Sequence, residues 1–393
     1  MSSLRIAYVT TGRASDINNW SGLVVNIRQC LVREGHEVFD IDGVQVPTPW
    51  RTRFRGWYWR FVKGWPYGYD RDLDVARAFA VQVRRKLKHL QVDCIVSPRS
   101  YPLAFLETNI PMASWGDATF HCLQGLYPGF DRAAPISLRH GEELEQRALH
   151  RCRLLAYATQ WAADDAIRHY TVDPEQVRVI PFGSNCTTPF VDADAARSAI
   201  QERRPVPLRL LFVGVEWERK GGPLALQVLQ ELHRRGVSAE LWVSGCDPFQ
   251  GSPPPGVRCL GFLSKSDPAQ WESWQRCFLE CHVFLMPTRA ECFGVVYAEA
   301  AAYALPSLAT RVGGVPDAAR EDGGGFLFDL DTGPGPYADL LQSWTDDWAV
   351  YQEQSLRAWR TSQEILNWQV AGRRFSDCLV ESMAVAQGRR QEH

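Results

Sequence analysis

Glu291-Cys-Phe-Gly-Val-Val-Tyr-Ala-Glu299 follows a short apolar run, Val283-Phe284-Leu285-Met286-Pro287, and precedes Ala300-Ala301-Ala302. The pattern reads as a buried strand, a loop and a helix, with Gly294 at the turn. Such a loop brings backbone N–H groups to a helix N-terminus, where they are suited to an anion. If the helix starts near Gly294, the two flanking acids lie on the order of 12 Å apart at ~1.5 Å rise per residue.

Spacing alone does not decide the matter. Glu272 and Glu280 show the same interval inside a glycine-free segment that reads as an amphipathic helix with solvated acids. The preceding strand and the glycine loop are what set Glu291 and Glu299 apart. An anion site flanked by two hydroxyl-binding carboxylates fits a diphosphate carrying a sugar at each end, the layout of a nucleotide sugar.

The pattern around this stretch repeats. Ile6–Val9 reads as a strand, and a polar loop from Thr10 to Ser21 follows. Gly22 opens an apolar-periodic helix, and Glu37–Phe39 starts the next strand. Strands are also expected at Val92–Ser97 and Leu154–Ala158, and as strand followed by turn within Ile110–His121 and Val177–Gly183, with helices between them. The segment Asn185–Pro207 lacks a strong apolar pattern and reads as a connection with one short helix. The β-α rhythm restarts at Arg209-Leu-Leu-Phe-Val-Gly214, and the chain is helical from Tyr337 onward. Alternating strands and helices in two runs predict α/β architecture: two doubly wound halves facing a central cleft. The expected spans are 1–185, a connection 186–207, a second domain 208–365, and a final helix 366–393 returning to the first domain.

The size suits two cores, with 393 residues, 45% of them hydrophobic and 22% charged. A net charge of -2 argues against a general nucleic-acid binder. The eleven cysteines form no C-x-x-C pair and read as free thiols of a reducing compartment. The N-terminus passes directly into a strand without signal-peptide character, and no apolar run reaches the ~18 residues of a membrane span. The expectation is a cytoplasmic protein, with peripheral contact to a membrane left open. Oligomeric state is not legible.

Gly214-Val-Glu-Trp-Glu-Arg219-Lys220-Gly-Gly222 lies between a strand and a helix. Cations are unusual at a helix start, where the dipole disfavours them, so Arg219 and Lys220 read as ligands for a diphosphate. Metal ligation looks poor. No H-E-x-x-H or Cys/His cluster exists, and Asp-x-Asp recurs at four scattered places, so no metal is expected. Asp117, Thr119 and His121 emerge at the end of a strand. Asp117 and His121 read equally well as a base with its hydrogen-bonding partner or as a helix cap and an exposed side chain. Arg51–Arg71 interleaves basic and aromatic residues. It reads as an acceptor or membrane contact or, slightly better, as an insertion whose aromatics pack inward, because no amphipathic period holds across it.

Together these residues resemble the GT-B glycosyltransferases, specifically glycosyltransferase family 4 with its group 1 C-terminal domain. The resemblance rests on Phe212-Val-Gly214 with Arg219-Lys220-Gly221, on Pro287-Thr288 with Glu291 and Glu299, and on Gly313-Gly-Val-Pro316 and Gly323-Gly-Gly-Phe326. Gly35-His36-Glu37-Val38 and Pro181-Phe-Gly-Ser-Asn185 extend it into the first half. It implies two Rossmann-like domains and transfer of a hexose from a UDP- or GDP-sugar to a glycan, lipid or small-molecule acceptor, with retention and without metal. By position it implies that Glu291 meets the donor sugar, Glu299 the ribose, and Arg219 and Lys220 the leaving diphosphate. The amides of Gly22, Phe293, Gly294 and Val295 would contact sugar and phosphate, with Gly214 in the same loop set and the backbone near Phe262 reading the base. Ser21, Asp117, Thr119 and His121 fall on the acceptor side, with Asp117 in the loop where the family has its catalytic His. Val215 stands where the family often has Arg. An epimerase or phosphorylase of the same fold, or a non-catalytic nucleotide-sugar-binding partner subunit, is the competing reading.

Overall fold

The computed structural model describes residues 3–17, 19–44, 46, 48–249 and 251–391. Met1, Ser2, Glu392 and His393, at the ends of the expected domain spans, lie outside them. The chain divides into two compact units, Met1–Pro181 with Trp368–His393, and Phe182–Asn367.

The first unit contains β1 (Arg5–Val9), α1 (Leu23–Arg33), β2 (Glu37–Ile41), α2 (Trp50–Trp57), α3 (Leu73–Leu87), β3 (Cys94–Ser97) and β4 (Met112–Gly116). It continues with the short α4 (Phe120–Leu123) and α5 (Pro128–Asp131), then α6 (Pro135–Leu149), β5 (Cys152–Tyr157), α7 (Gln160–Arg168) and β6 (Val177–Val179). Its six strands are parallel in the order β2-β1-β3-β4-β5-β6. A parallel sheet covered on both faces needs strands that are apolar throughout. Ile95 and Val96 of β3 and Ala113 and Trp115 of β4 are accordingly buried. Phe79 and Val83 of α3 and Ala162 and Ala166 of α7 pack into the same core.

The second unit contains α8 (Ala193–Glu202), β7 (Leu208–Val213), α9 (Gly222–Arg234), β8 (Ala239–Ser244), β9 (Val257–Gly261), α10 (Pro268–Glu280), β10 (Val283–Met286) and α11 (Val295–Ala302). After these come β11 (Ser307–Thr310), α12 (Val315–Ala318), β12 (Gly325–Phe328), α13 (Pro334–Asp346) and α14 (Trp348–Glu364). Its parallel order is β12-β11-β10-β7-β8-β9. Two six-stranded parallel sheets with interleaved helices constitute two Rossmann-like halves.

The final helix, α15 (Trp368–Gln391), belongs to the first unit. The Trp115 ring stacks on Phe375 at 4.6 Å and meets the edge of Trp368 at 5.9 Å. Each such pair adds about 0.5–1.5 kcal/mol beyond the area it buries. His36 Nε2 lies 2.8 Å from Ser376 Oγ, and Gly372 lies against Cys30.

Residues 186–207, read as a connection, are part of the second unit. Ala196 and Ile200 of α8 pack on Ala304 and Trp359. The Arg203 guanidinium donates to the carbonyls of Ala304 and Tyr303 and to the Tyr351 hydroxyl, at 2.7 to 2.8 Å. Gly313 and Gly314 form a turn, and Val315 and Pro316 open α12.

Of the aromatics in Arg51–Arg71, Tyr58, Trp59 and Tyr67 are half-buried, whereas Phe54, Trp57 and Phe61, with Trp50 just before them, do not pack inward as expected. Trp50, Phe54, Trp57 and Phe61 are 74%, 60%, 51% and 70% exposed. The amphipathic period went unseen because it is inverted. The inward face of α2 is small and polar: Thr52 donates to Asp72 at 2.8 Å, and Gly56 lies flat against the Tyr69 ring. Among the described residues no helix is long and apolar enough to cross a membrane. All eleven cysteines are free thiols.

Candidate functional site

In the second sheet β8 and β9 lie on one side of β7, while β10, β11 and β12 lie on the other. Loops leaving the C-terminal ends of two strands at such a reversal diverge and open a crevice. Here they are the loop after β7, which carries Gly214 to Gly221, and the loop after β10, which carries Pro287 to Gly294.

The two loops are stapled together. The Arg289 N–H donates to the Arg219 carbonyl at 2.8 Å, and Thr288 Oγ1 lies within 3.2 Å of the same oxygen. The Arg219 guanidinium donates back to the Ala290 carbonyl at 2.8 Å and pairs with Glu216. Gly221 makes the close approach feasible. It adopts φ +81°, and a Cβ there would overlap the Pro287 carbonyl.

This framework brings the predicted charges into one cluster. Lys220 Nζ forms an ion pair with Glu291 Oε2, and Arg219 Nη1 stands 3.9 Å from the same oxygen. The Glu291 carbonyl accepts the Gly314 N–H at 3.2 Å, which fixes the acid from its backbone. Gly294 caps α11 at φ +79°, so the helix starts at Val295, one residue later than the sequence indicated. No side chain caps α11. Its first turn, next to the loop that carries Glu291, therefore has N–H groups that no side chain caps. Phe293 is buried edge-on against Phe182, 5.5 Å between ring centroids, so only its backbone is available to a ligand. Phe262, next to Gly261, and Val215 are exposed.

Glu299 lies on α11, five residues beyond Gly294, and is 3% exposed. Its carboxylate pairs with Lys265, whose ammonium lies 4.4 Å from the Trp274 ring centre. Sequence reading missed Lys265: it sits in a polar loop 34 residues upstream, and only the fold brings it to Glu299.

In the first unit, Trp20, Ser21 and Gly22 are consecutively left-handed at φ 51°, 55° and 83°, just before α1. Two non-glycine residues in that region store on the order of 1–3 kcal/mol each. Arg99 lies over the Trp20 ring at 5.0 Å. Thr119 is buried and caps α4: its hydroxyl accepts the Cys122 N–H and donates to Asp165. Its hydroxyl is thus engaged within the fold. His121 is paired through Nδ1 with Asp165 on α7 at 2.7 Å. Its ring stacks on His169 at 3.7 Å. His169 Nε2 lies 3.5 Å from Glu142, and Glu142 accepts the Tyr170 hydroxyl. Asp117 is half-buried just past β4. These partners are some 20 to 50 residues apart in the chain, and no local spacing announces them.

Glu145 on α6 is buried, accepts Ser100 Oγ at 2.8 Å, and has its pKa pushed up to about 7 by burial, against the pull of Arg71. Arg71 itself lies 4.6 to 5.6 Å from the ring centres of Phe120, Tyr101 and Phe130. Among the described residues no group of three or more His, Cys, Asp or Glu is arranged to hold a metal ion.

Residues 23–187 match the model described as Glycosyltransferase Family 4, and residues 207–347 match Glycosyl transferases group 1. The chain belongs to the family 4, group 1 glycosyltransferases. It is similar to the D-inositol 3-phosphate glycosyltransferase of Streptomyces avermitilis, 30% identical over 260 residues, covering 61% of this chain and 54% of that protein. The Corynebacterium efficiens protein of the same name is 29% identical over 215 residues, covering 52% and 50%. The chain thus spans about half the length of the curated relatives it matches. Sucrose-phosphate synthase from Thermosynechococcus elongatus has the same GT-B fold, with a TM-score of 0.67 at 15% identity, covering 97% of this chain and 99% of that one. Both family regions contain candidate residues: Asp117 and His121 in the first, and Arg219, Lys220, Glu291 and Glu299 in the second.

Proposed function

We propose that this family 4 protein transfers a hexose from a UDP- or GDP-sugar to a glycan, lipid or small-molecule acceptor, with retention at the anomeric carbon. The observation that carries the reading is the cluster of Lys220, Arg219 and Glu291 at the strand reversal, beside the uncapped start of α11. A leaving diphosphate develops negative charge that a helix end, at about half a unit of positive charge, only partly balances. Lys220 and Arg219 supply the remainder without a metal. Glu291 accepts hydrogen bonds from the transferred sugar, and Glu299 from the ribose.

The proposed chemistry proceeds on one face of the sugar. The bond from the anomeric carbon to the diphosphate oxygen breaks as the acceptor oxygen bonds to the same carbon from the same side. The acceptor proton passes to the departing diphosphate. No side-chain nucleophile is needed. In the first unit Asp117 and His121 orient the acceptor, with His121 held by Asp165. The relatives' name points to a small phosphorylated polyol as one member of the acceptor class. The expected site of action is the cytoplasm.

The test is incubation of the purified protein with UDP- and GDP-hexoses, with and without acceptors and with a chelator present. The anomeric proton of the product is followed by NMR. Release of nucleoside diphosphate with an unchanged anomeric configuration supports the reading. An inverted product, or activity abolished by the chelator, contradicts retention or metal independence respectively.

A further inference from the structure

We infer that the outer face of α2 is a membrane-docking surface that seats on a bilayer carrying anionic headgroups. Trp50, Phe54, Trp57 and Phe61 follow one another at intervals of four, three and four residues, the spacing of one helical face. The helix continues past Trp57 into a wider turn, Tyr58–Val62, so Phe61 extends the stripe. Each of the four rings is more than half exposed, and Phe54 and Trp57 stack on each other at 5.9 Å. Val62 and Trp65 add exposed apolar surface beyond the last turn. A solvent-facing apolar stripe of this size is costly unless something covers it.

Charge indicates what covers it. From Trp50 to Tyr69 the chain carries Arg51, Arg53, Arg55, Arg60 and Lys63 and no acid, whereas the whole protein has a net charge of -2. Arg55 alone turns inward, to Asp72 at 2.8 Å and Asp74 at 2.7 Å. The other four are exposed, and among the described residues none joins an ion pair. Arg51, Arg60 and Lys63 lie 5.5 to 5.9 Å from the rings of Trp50, Phe61 and Tyr58. Aromatic rings flanked by long cations match the boundary between acyl chains and anionic headgroups. There the rings bury in the apolar layer while the cations reach phosphates. The inner face holds the stripe outward. Thr52 and Arg55 bind Asp72, Tyr67 donates to the same carboxylate, and Gly56 admits Tyr69. The inference does not depend on the transferase reading, and its test measures binding alone.

The experiment is flotation of the full chain with vesicles of phosphatidylcholine alone or of phosphatidylcholine with phosphatidylglycerol, at low and high salt. The expected result is binding to the anionic vesicles that weakens as salt is raised. Binding should fall on the order of tenfold or more in R51E/R53E, because charge is reversed, and in F54S/F61S, because the apolar insert is lost. Both variants change only exposed side chains, so their melting temperatures should match the parent, and a variant that fails to match is replaced by F54A/F61A. The inference is overturned if the parent does not float with anionic vesicles, or if the variants float equally well. It is also overturned if the parent elutes as a dimer that F54S/F61S converts to monomer without any vesicle binding.

Discussion

Lys220 and Glu291 form an ion pair that ties the loop after β7 to the loop after β10. The pair sits where the second sheet reverses its strand order. In the proposed reaction Lys220 meets a phosphate and Glu291 the sugar hydroxyls. Lys220→Ala should lower kcat by on the order of 10²–10³, the cost of removing one preorganised charge from a transition state, while nucleotide affinity changes little. Steady-state kinetics alongside nucleotide titration separates the two effects.

Glu299 is the more buried acid, and Lys265 is its counterion. Glu299→Ala should weaken nucleotide binding by roughly tenfold to a hundredfold, the value of one or two hydrogen bonds to a charged group. Lys265→Met leaves a buried carboxylate unpaired and should cost about 2 kcal/mol of stability, moderated because the Lys265 end is partly solvated. The double variant Lys265→Met/Glu299→Gln should recover part of that loss. A double-mutant cycle by urea denaturation reads the coupling.

Gly221→Ala should be among the most damaging single methyl additions in the chain. The alanine must adopt φ near +81° and push its Cβ into the Pro287 carbonyl. The expected loss exceeds about 3 kcal/mol, from strain and forced separation of the two loops. Gly236→Ala has a similar φ of +80° with open space around it and should cost markedly less. Parallel thermal melts compare the two.

Glu145 makes stability depend on pH. Burial raises its folded pKa from the ordinary 4.5 of a glutamate to about 7. The folded state therefore holds the proton more tightly than the unfolded chain does. Stability from this group is fully present below about pH 4.5 and is lost as pH rises to about 7. Glu145→Gln keeps an acceptor for Ser100 and removes the ionisation cost. It should be more stable than the parent by about 3 kcal/mol at pH 8 and nearly equal to it at pH 4. Denaturation at the two pH values gives the difference.

His282 works in the opposite sense. Burial, with Arg203 and Arg209 nearby, lowers its pKa to about 3, and its Nδ1 accepts the Arg209 N–H at 2.8 Å. Its contribution is present above about pH 6.5 and is lost as pH falls toward 3. His282→Gln should flatten the acid limb of stability, measured as the midpoint of acid unfolding.

Legibility in the sequence followed locality. Strands such as Val283–Met286 are apolar throughout, and Pro287 marks where this one ends, so it shows directly. Arg219, Lys220 and Glu291 were readable as neighbours because each sits in a loop between a strand end and a helix start. Lys265, Asp165 and His169 were not, because their partners come together only through the fold. Thr119, read on the acceptor side, caps α4, a use of a hydroxyl before a short helix that the sequence does not distinguish from ligand binding. The outward aromatics of α2 were missed for a physical reason: the buried face there is made of Thr52 and Gly56, so hydrophobicity marks the wrong side.

The most direct test of the donor site is calorimetric titration of the protein with UDP, GDP and their hexose conjugates, repeated with Glu299→Ala. The account predicts saturable one-to-one binding of one nucleotide series, weakened at least about tenfold by the substitution. Absence of binding by every member of the panel, or unchanged affinity in Glu299→Ala, would contradict it.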